Sequence, residues 1–186
     1  MKIAISGSRD IDDDGVRRIE ETVPKIIDHH DPKAVLFGGA KGTDTISLRA
    51  IYDNFSETDR PVLKAIVPFK LDDQPKRSVQ AIEKYCDEIT EMDSPKSKGA
   101  YFERNQKLVN QSDKLIACWN GSSKGTAHTI QEAKNKGLDV IVLLTDPPPE
   151  KVKDVWETLH GTSIWIDGKP KDFEEIRDNM EAFDSE

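Results

Sequence analysis

Three short segments of the sequence join small residues to a polar or charged one. They are Ser6-Gly7-Ser8-Arg9, Gly38-Gly39-Ala40-Lys41-Gly42-Thr43-Asp44 and Asn120-Gly121-Ser122-Ser123-Lys124-Gly125-Thr126. Glycine lets backbone N–H groups approach a phosphate closely, and a helix opening just behind adds a favourable dipole. In the second segment Lys41 can add a point charge, while Thr43 or Asp44 can cap the helix. The same residues also suit a tight turn and a capped helix without any ligand. Their spacing fits neither GxxxxGK[ST] nor GxGxxG. The third segment repeats the design, with Thr126 opening a helix. Arg9 carries a planar fork suited to a phosphate or a base, or to a weak surface pair with Asp10, Asp12 or Asp13. Glu103-Arg104-Asn105 reads as another helix start. Arg104 and Asn105 suit a phosphate or a ribose hydroxyl, or simply a solvated helix face.

Other chemistry has little support in the residues. His128 reads as an ordinary helix residue near the ligand rather than a base. His29, His30 and His160 lack metal-ligand spacing, so no metal is expected. There is no GxSxG and no Ser-His-Asp order. Trp119, Trp156 and Trp165 read as core or lid packing, and Trp119 alone stands near enough to a loop to stack on a base. Cys86 and Cys118 are the only cysteines, and Cys118 falls in an apolar run that suits a buried free thiol.

The elements that must position these segments follow from the apolar pattern. Residues 2–5 (KIAI), Ala34–Phe37 and Lys114–Trp119 read as strands, each running into one of the three loops. Val62–Val67 and Asp139–Leu144 read as two more strands, with a short extended piece around Ile89. Helices are predicted at about 12–27, 44–53, 74–85, 101–112 and 126–136, the last ended by Gly137. Pro24 predicts a kink or an early end in the first helix, and 94–99 a flexible loop. Pro147, Pro148 and Pro149 mark a break. Beyond it come a helix carrying Val152, Val155, Trp156 and Leu159, a strand at Ser163–Ile166, a helix with Phe173, Ile176 and Met180, and a frayed end. Strand and helix alternate, which predicts an α/β, Rossmann-like, doubly wound and mainly parallel sheet with helices on both faces. Residues 1–144 form the ligand-binding domain, and 145–186 a short α/β elaboration packed on it.

The chain has 186 residues, enough for one domain with its own core. Its formal net charge is −8, which argues against wide, sequence-blind binding to nucleic acid. No secretory signal or membrane span is read at the start, so the cytoplasm is the default expectation.

The ordered set ISGSRD, FGGAKGTD, FERN and NGSSKGTAHTIQEA resembles the SLOG superfamily, most closely its YspA-like branch. The resemblance spans about residues 1–144. The DprA/Smf proteins and the LOG-type phosphoribohydrolases are similar relatives. It implies a Rossmann-like domain that binds a nucleotide or nucleotide derivative, as a sensor or binding module, without a required cofactor. Carried over by motif, Gly7, Ser8, Arg9, Gly38, Gly39, Gly42, Asp44, Arg104, Asn105, Gly121, Ser122, Gly125 and Thr126 would line its crevice. Ala40 and Lys41 join them from the second loop. A homodimer is implied as well.

LOG-type enzymes pair an Arg, matched by Arg104, with a Glu whose position here holds Thr129. A phosphoribohydrolase would therefore have to use Arg104 with His128 or Glu132, and its acid or base stays unassigned. A DprA-like role in DNA processing is the third reading. The acidic charge and scarce aromatics speak against it, so nucleic acid is disfavoured as a partner.

Overall fold

A computed structural model describes residues 1–145, 153–166 and 168–183. The apolar run after Met1 forms β1 (Lys2–Gly7), and Asp12 caps α1 (Asp13–His30) by accepting from the Gly15 amide at 2.7 Å. Ile19, Val23, Ile26 and Ile27 are the buried stripe of α1. The early end expected at Pro24 does not occur: the helix runs on to His30. Proline forfeits one backbone bond at a cost of about 3 kcal/mol, and burial of the apolar stripe on both sides outweighs that.

There follow β2 (Ala34–Phe37), α2 (Thr43–Asn54), β3 (Val62–Val67), a 3₁₀ turn at Leu71–Asp73, α3 (Lys76–Tyr85) and the short β4 (Glu88–Glu91). The next helix, α4 (Lys98–Asn110), starts inside the expected flexible loop. Ser97 caps it by accepting from Ala100 N at 3.2 Å. Arg104 and Asn105 therefore lie within the helix and not at its start, so they act through their side chains and not through a helix terminus.

The chain continues through β5 (Lys114–Trp119), α5 (Lys124–Asn135), β6 (Asp139–Leu144), α6 (Lys153–Leu159), β7 (Ser163–Ile166), β8 (Lys169–Asp172) and α7 (Phe173–Phe183). Gly137, at φ +77, ends α5 in the αL conformation. Its amide donates to Lys134 O and the Leu138 amide to Ala133 O, a Schellman closure.

The strands form one sheet in the order β4-β3-β2-β1-β5-β6-β7-β8. Every neighbouring pair is parallel except β7 and β8. Ile5 lies between Phe37 and Ile116 on one face and Ala4 between Leu36 and Leu115 on the other, so the centre of the sheet is apolar on both. One core layer joins β1, β2 and β5 to α1 and α2. The other joins the sheet to α4, α5 and α6, with Ile164 and Phe173 from the C-terminal segment inside it. The antiparallel β8 was not expected, because Lys169-Pro170-Lys171-Asp172 has no apolar alternation. A proline is tolerated on such an edge strand.

Pro147, Pro148, Pro149 and Val152, the side chain of Met180 and the frayed end lie outside the described residues. Among the described residues no helix is long and apolar enough to cross a membrane.

Candidate functional site

The chain leaves β1 toward β2, whereas β5 lies on the other side of β1. Connections on the two sides cover opposite faces, and a crevice opens beyond the carboxyl ends of the strands at that point. Ser8, fully buried, ties the three small-residue loops together there. Its amide donates to Cys118 O at 3.0 Å, and its carbonyl accepts from the Thr43 amide at 3.2 Å and Thr43 Oγ1 at 3.1 Å. Its hydroxyl accepts from the Asn120 amide at 3.1 Å. Gly42, at φ +78, lies so close to the carbonyls of Arg9 and Ser8 that a methyl group there would overlap both. Gly42 thus serves loop contact and does not line the crevice.

Behind the crevice Arg104 reaches from α4 to Asp44 at the start of α2, with Nη1 3.5 Å from Oδ2. Both side chains are buried. Burial pushes the Asp44 carboxyl up, while Arg104 and the amides of Ala40 and Gly38 pull it down. Burial likewise pushes the Arg104 guanidinium down, and Asp44 opposes the shift. Gly38 makes this pair possible, because a methyl group on it would occupy the place of the guanidinium. Asp44 also accepts from Ala40 N at 3.0 Å, which fixes the second loop.

Asn105, one residue on, is oriented by a relay. The Thr129 hydroxyl donates its single proton to Gly125 O at 3.0 Å. Its oxygen can then only accept, and Asn105 Nδ2 donates to it at 3.0 Å. Asn105 Oδ1 is left without a partner. The Thr at the position of the LOG-type Glu therefore acts on Asn105.

The crevice holds a cavity of about 670 Å³, within the range of small-ligand sites. Gly7, Ser8, Arg9, Ala40, Asp44, Arg104, Asn105, Ser122 and Gly125 line it. Gly38, Gly39 and Lys41 instead line a smaller hollow of about 120 Å³ that shares Arg9, Ala40 and Arg104 as walls. Gly121 and Thr126 line neither; Thr126 is buried and donates to the cap residue Ser123.

His128 and Glu132 do not line the cavity, and His128 packs edge-on against Phe102. The Trp119 ring is buried, its Nε1 donating to Ser123 O at 3.1 Å, so it is not placed to stack on a base. Among the described residues Arg9 pairs with none of Asp10, Asp12 and Asp13: its guanidinium lies over the Tyr101 ring at 4.7 Å. Asp10 pairs with Lys41 at 2.7 Å instead.

The sequence reading missed Lys98, Tyr101 and Phe102 on the cavity wall. Phe102 is 49% exposed, the most open of the large apolar side chains among the described residues. The pair Tyr101-Phe102, one helical turn beyond Lys98 and three and two residues ahead of Arg104, is the signal that was available.

A doubly wound sheet with small-residue loops around a cavity at its switch point has the architecture of a SLOG-type domain. The model of the family "DNA recombination-mediator protein A" matches residues 1–184, so the chain belongs to that family. The match runs well past the 1–144 covered by the motifs.

Among solved structures, the chain resembles DNA processing protein A from Helicobacter pylori, described for its single-stranded DNA binding mode. The likeness has 20% identity and a TM-score of 0.64, over 86% of this chain and 71% of that one. DNA processing protein A (DprA) from Streptococcus pneumoniae gives 18% identity and a TM-score of 0.66, over 90% of this chain but only 59% of that one. The molybdenum cofactor binding protein from Rippkaea orientalis gives 14% identity and a TM-score of 0.61, over 96% of both chains. No curated protein sequence matches the chain significantly.

These findings overturn the expectation that nucleic acid is disfavoured as a partner. Net charge describes the whole surface, whereas a strand held in a crevice meets only its walls. Here those walls carry Arg9, Lys98 and Arg104 with Tyr101 and Phe102.

Proposed function

We propose that this protein is a DprA-like DNA-processing accessory protein that holds single-stranded DNA across the crevice, with one nucleotide in the cavity. Family membership supports the reading, and the make-up of the walls carries it: Arg9 and Lys98, the Asp44-paired Arg104, and two aromatic rings around a nucleotide-sized space. Arg9 and Lys98, both exposed, meet phosphates. Phe102 offers its ring to a base, a contact commonly worth about 1–3 kcal/mol. Asn105 presents a carbonyl oxygen to a donor on the base or sugar. Fluorescence anisotropy with a labelled oligothymidylate of about 20 residues tests this. The parent binds, and Arg9→Ala and Lys98→Glu each weaken binding about tenfold or more. A parent protein that leaves the probe free at low salt ends the proposal.

A second reading keeps the cavity but replaces the strand with a free nucleotide or nucleotide derivative, bound by a sensor or carrier. The size of the cavity favours it. Competition decides: mononucleotides that displace the oligonucleotide at equal or lower concentration support the sensor. Pairing into a homodimer belongs to either reading and is checked by sedimentation. A phosphoribohydrolase has less support. The two carboxylates on the cavity wall, Asp10 and Asp44, are paired with Lys41 and Arg104.

A further inference from the structure

We infer that the hollow beside the main cavity is a separate subsite for a phosphoryl group. It lies between the 38–41 loop and the start of α3, and Arg9, Lys41, Gln74, Ser78, Tyr101 and Arg104 supply its side-chain walls. Three of these carry a positive charge; Lys41 and Arg104 are paired with Asp10 and Asp44, but neither carboxylate lines the hollow, nor does any other among the described residues. A space with such walls attracts an anion.

Hydrogen bonding makes the case sharper. Arg104 Nε, Gln74 Nε2 and Ser78 Oγ are buried and have no partner among the described residues. The three residues are 4%, 8% and 0% exposed. Buried donors without acceptors cost about 1–3 kcal/mol each, and three around one hollow mark a place built for an acceptor. A phosphoryl group brings several oxygens into a small volume, and donors to it form charge-assisted bonds.

The helix end agrees. Pro75 precedes the first turn of α3 with no side-chain cap and no acidic residue in that turn, so its positive dipole end is not offset. The volume of about 120 Å³ suits one phosphoryl group and excludes a nucleoside. Because Arg104 borders both spaces, a nucleotide in the cavity can place its phosphate in the hollow.

As a DNA subsite this rests on the single-strand reading; as an anion site it stands alone. The phosphoryl group can be a terminal monoester or an internal phosphodiester. Oligothymidylates of about 10 residues, unphosphorylated or carrying a 5′- or 3′-phosphate, are titrated into the parent, Ser78→Ala and Gln74→Leu. Inorganic phosphate is titrated separately and followed by ³¹P line width.

We expect each variant to lose about tenfold in affinity and to abolish the phosphate broadening seen with the parent. A loss confined to a phosphorylated probe assigns the monoester, and an equal loss on all three assigns the phosphodiester. Ser78→Ala removes a hydroxyl that has no partner, so its urea midpoint holds or rises, which separates lost binding from unfolding. Variants that bind every probe and phosphate like the parent overturn the subsite and leave the DNA reading standing. A parent that binds no oligonucleotide ends the DNA reading, and the phosphate titration alone then decides the subsite.

Discussion

Arg104 sits where three demands meet. It balances the buried Asp44, walls the cavity and walls the neighbouring hollow. A buried pair adds little net stability, but breaking one is costly, because the remaining charge has no water to turn to. Gly38→Ala is the cleanest way to break it, since the new methyl group takes the place of the guanidinium and both charged residues stay in the chain. Urea denaturation is expected to show a loss of about 3 kcal/mol, with oligonucleotide binding lost alongside it. A variant as stable as the parent means that the guanidinium has another low-energy position. Thr129→Val tests the neighbouring relay. The valine keeps the volume but offers Asn105 Nδ2 no acceptor, so about 1–2 kcal/mol of stability goes with the orphaned amide. Asn105 is then free to turn, and binding of single strands weakens. Unchanged binding in a folded Thr129→Val protein removes Asn105 from the ligand's contacts.

Among the elements, β4 is the least self-supporting, with all four residues exposed on the edge of the sheet. Asp87, just ahead of it, supplies the anchor. Arg60 donates to both of its oxygens at 2.9 Å, and the Leu63 amide of β3 donates to Oδ2 at 2.7 Å. Partial burial opposes the charge, yet these bonds hold the carboxyl below the usual aspartate range. A carboxyl held low in the folded state stabilises the fold above its unfolded pKa and loses that contribution as pH falls through the folded value. Stability is therefore expected to drop as the pH is lowered below about 4. Solvent screening keeps this group's share to about 1 kcal/mol. Asp87→Asn should flatten that part of the pH profile; an identical slope in the variant shows that other carboxylates carry it.

How much of this was legible in the sequence depended on how local each cause was. The five central strands came from apolar runs, and Gly137 as a helix stop from its own position. The start of α4 was missed because Ser97 stands among polar residues, and a cap is invisible until the helix behind it is recognised. That error displaced Arg104 from mid-helix to a terminus. β8 was missed because its pairing with β7, not its composition, makes it a strand. The pairing of Arg104 with Asp44 and the position of Gly42 against Ser8 depend on chain-distant packing, so the motifs pointed to the right loops but not to which residues face the ligand.

At the scale of the whole molecule, the single-strand reading requires an acidic protein of charge −8 to bind a polyanion against its own field. At about 0.1 M salt the field of distant charges is screened beyond roughly 10 Å, so the crevice is left to act through its own walls. Single strands lose affinity with salt at a slope of about −0.7 per phosphate neutralised. Arg9, Lys98 and a third phosphate contact near Arg104 therefore predict a slope of about −2 in log K against log salt. The bases of a duplex of the same length cannot enter the cavity, so on this reading it should bind at least tenfold more weakly throughout the titration. Filter binding from about 0.05 to 0.3 M salt measures both quantities. A slope steeper than about −5, or a duplex held as tightly as the single strand, requires a broad basic track outside the crevice and moves the DNA site away from the switch point of the sheet.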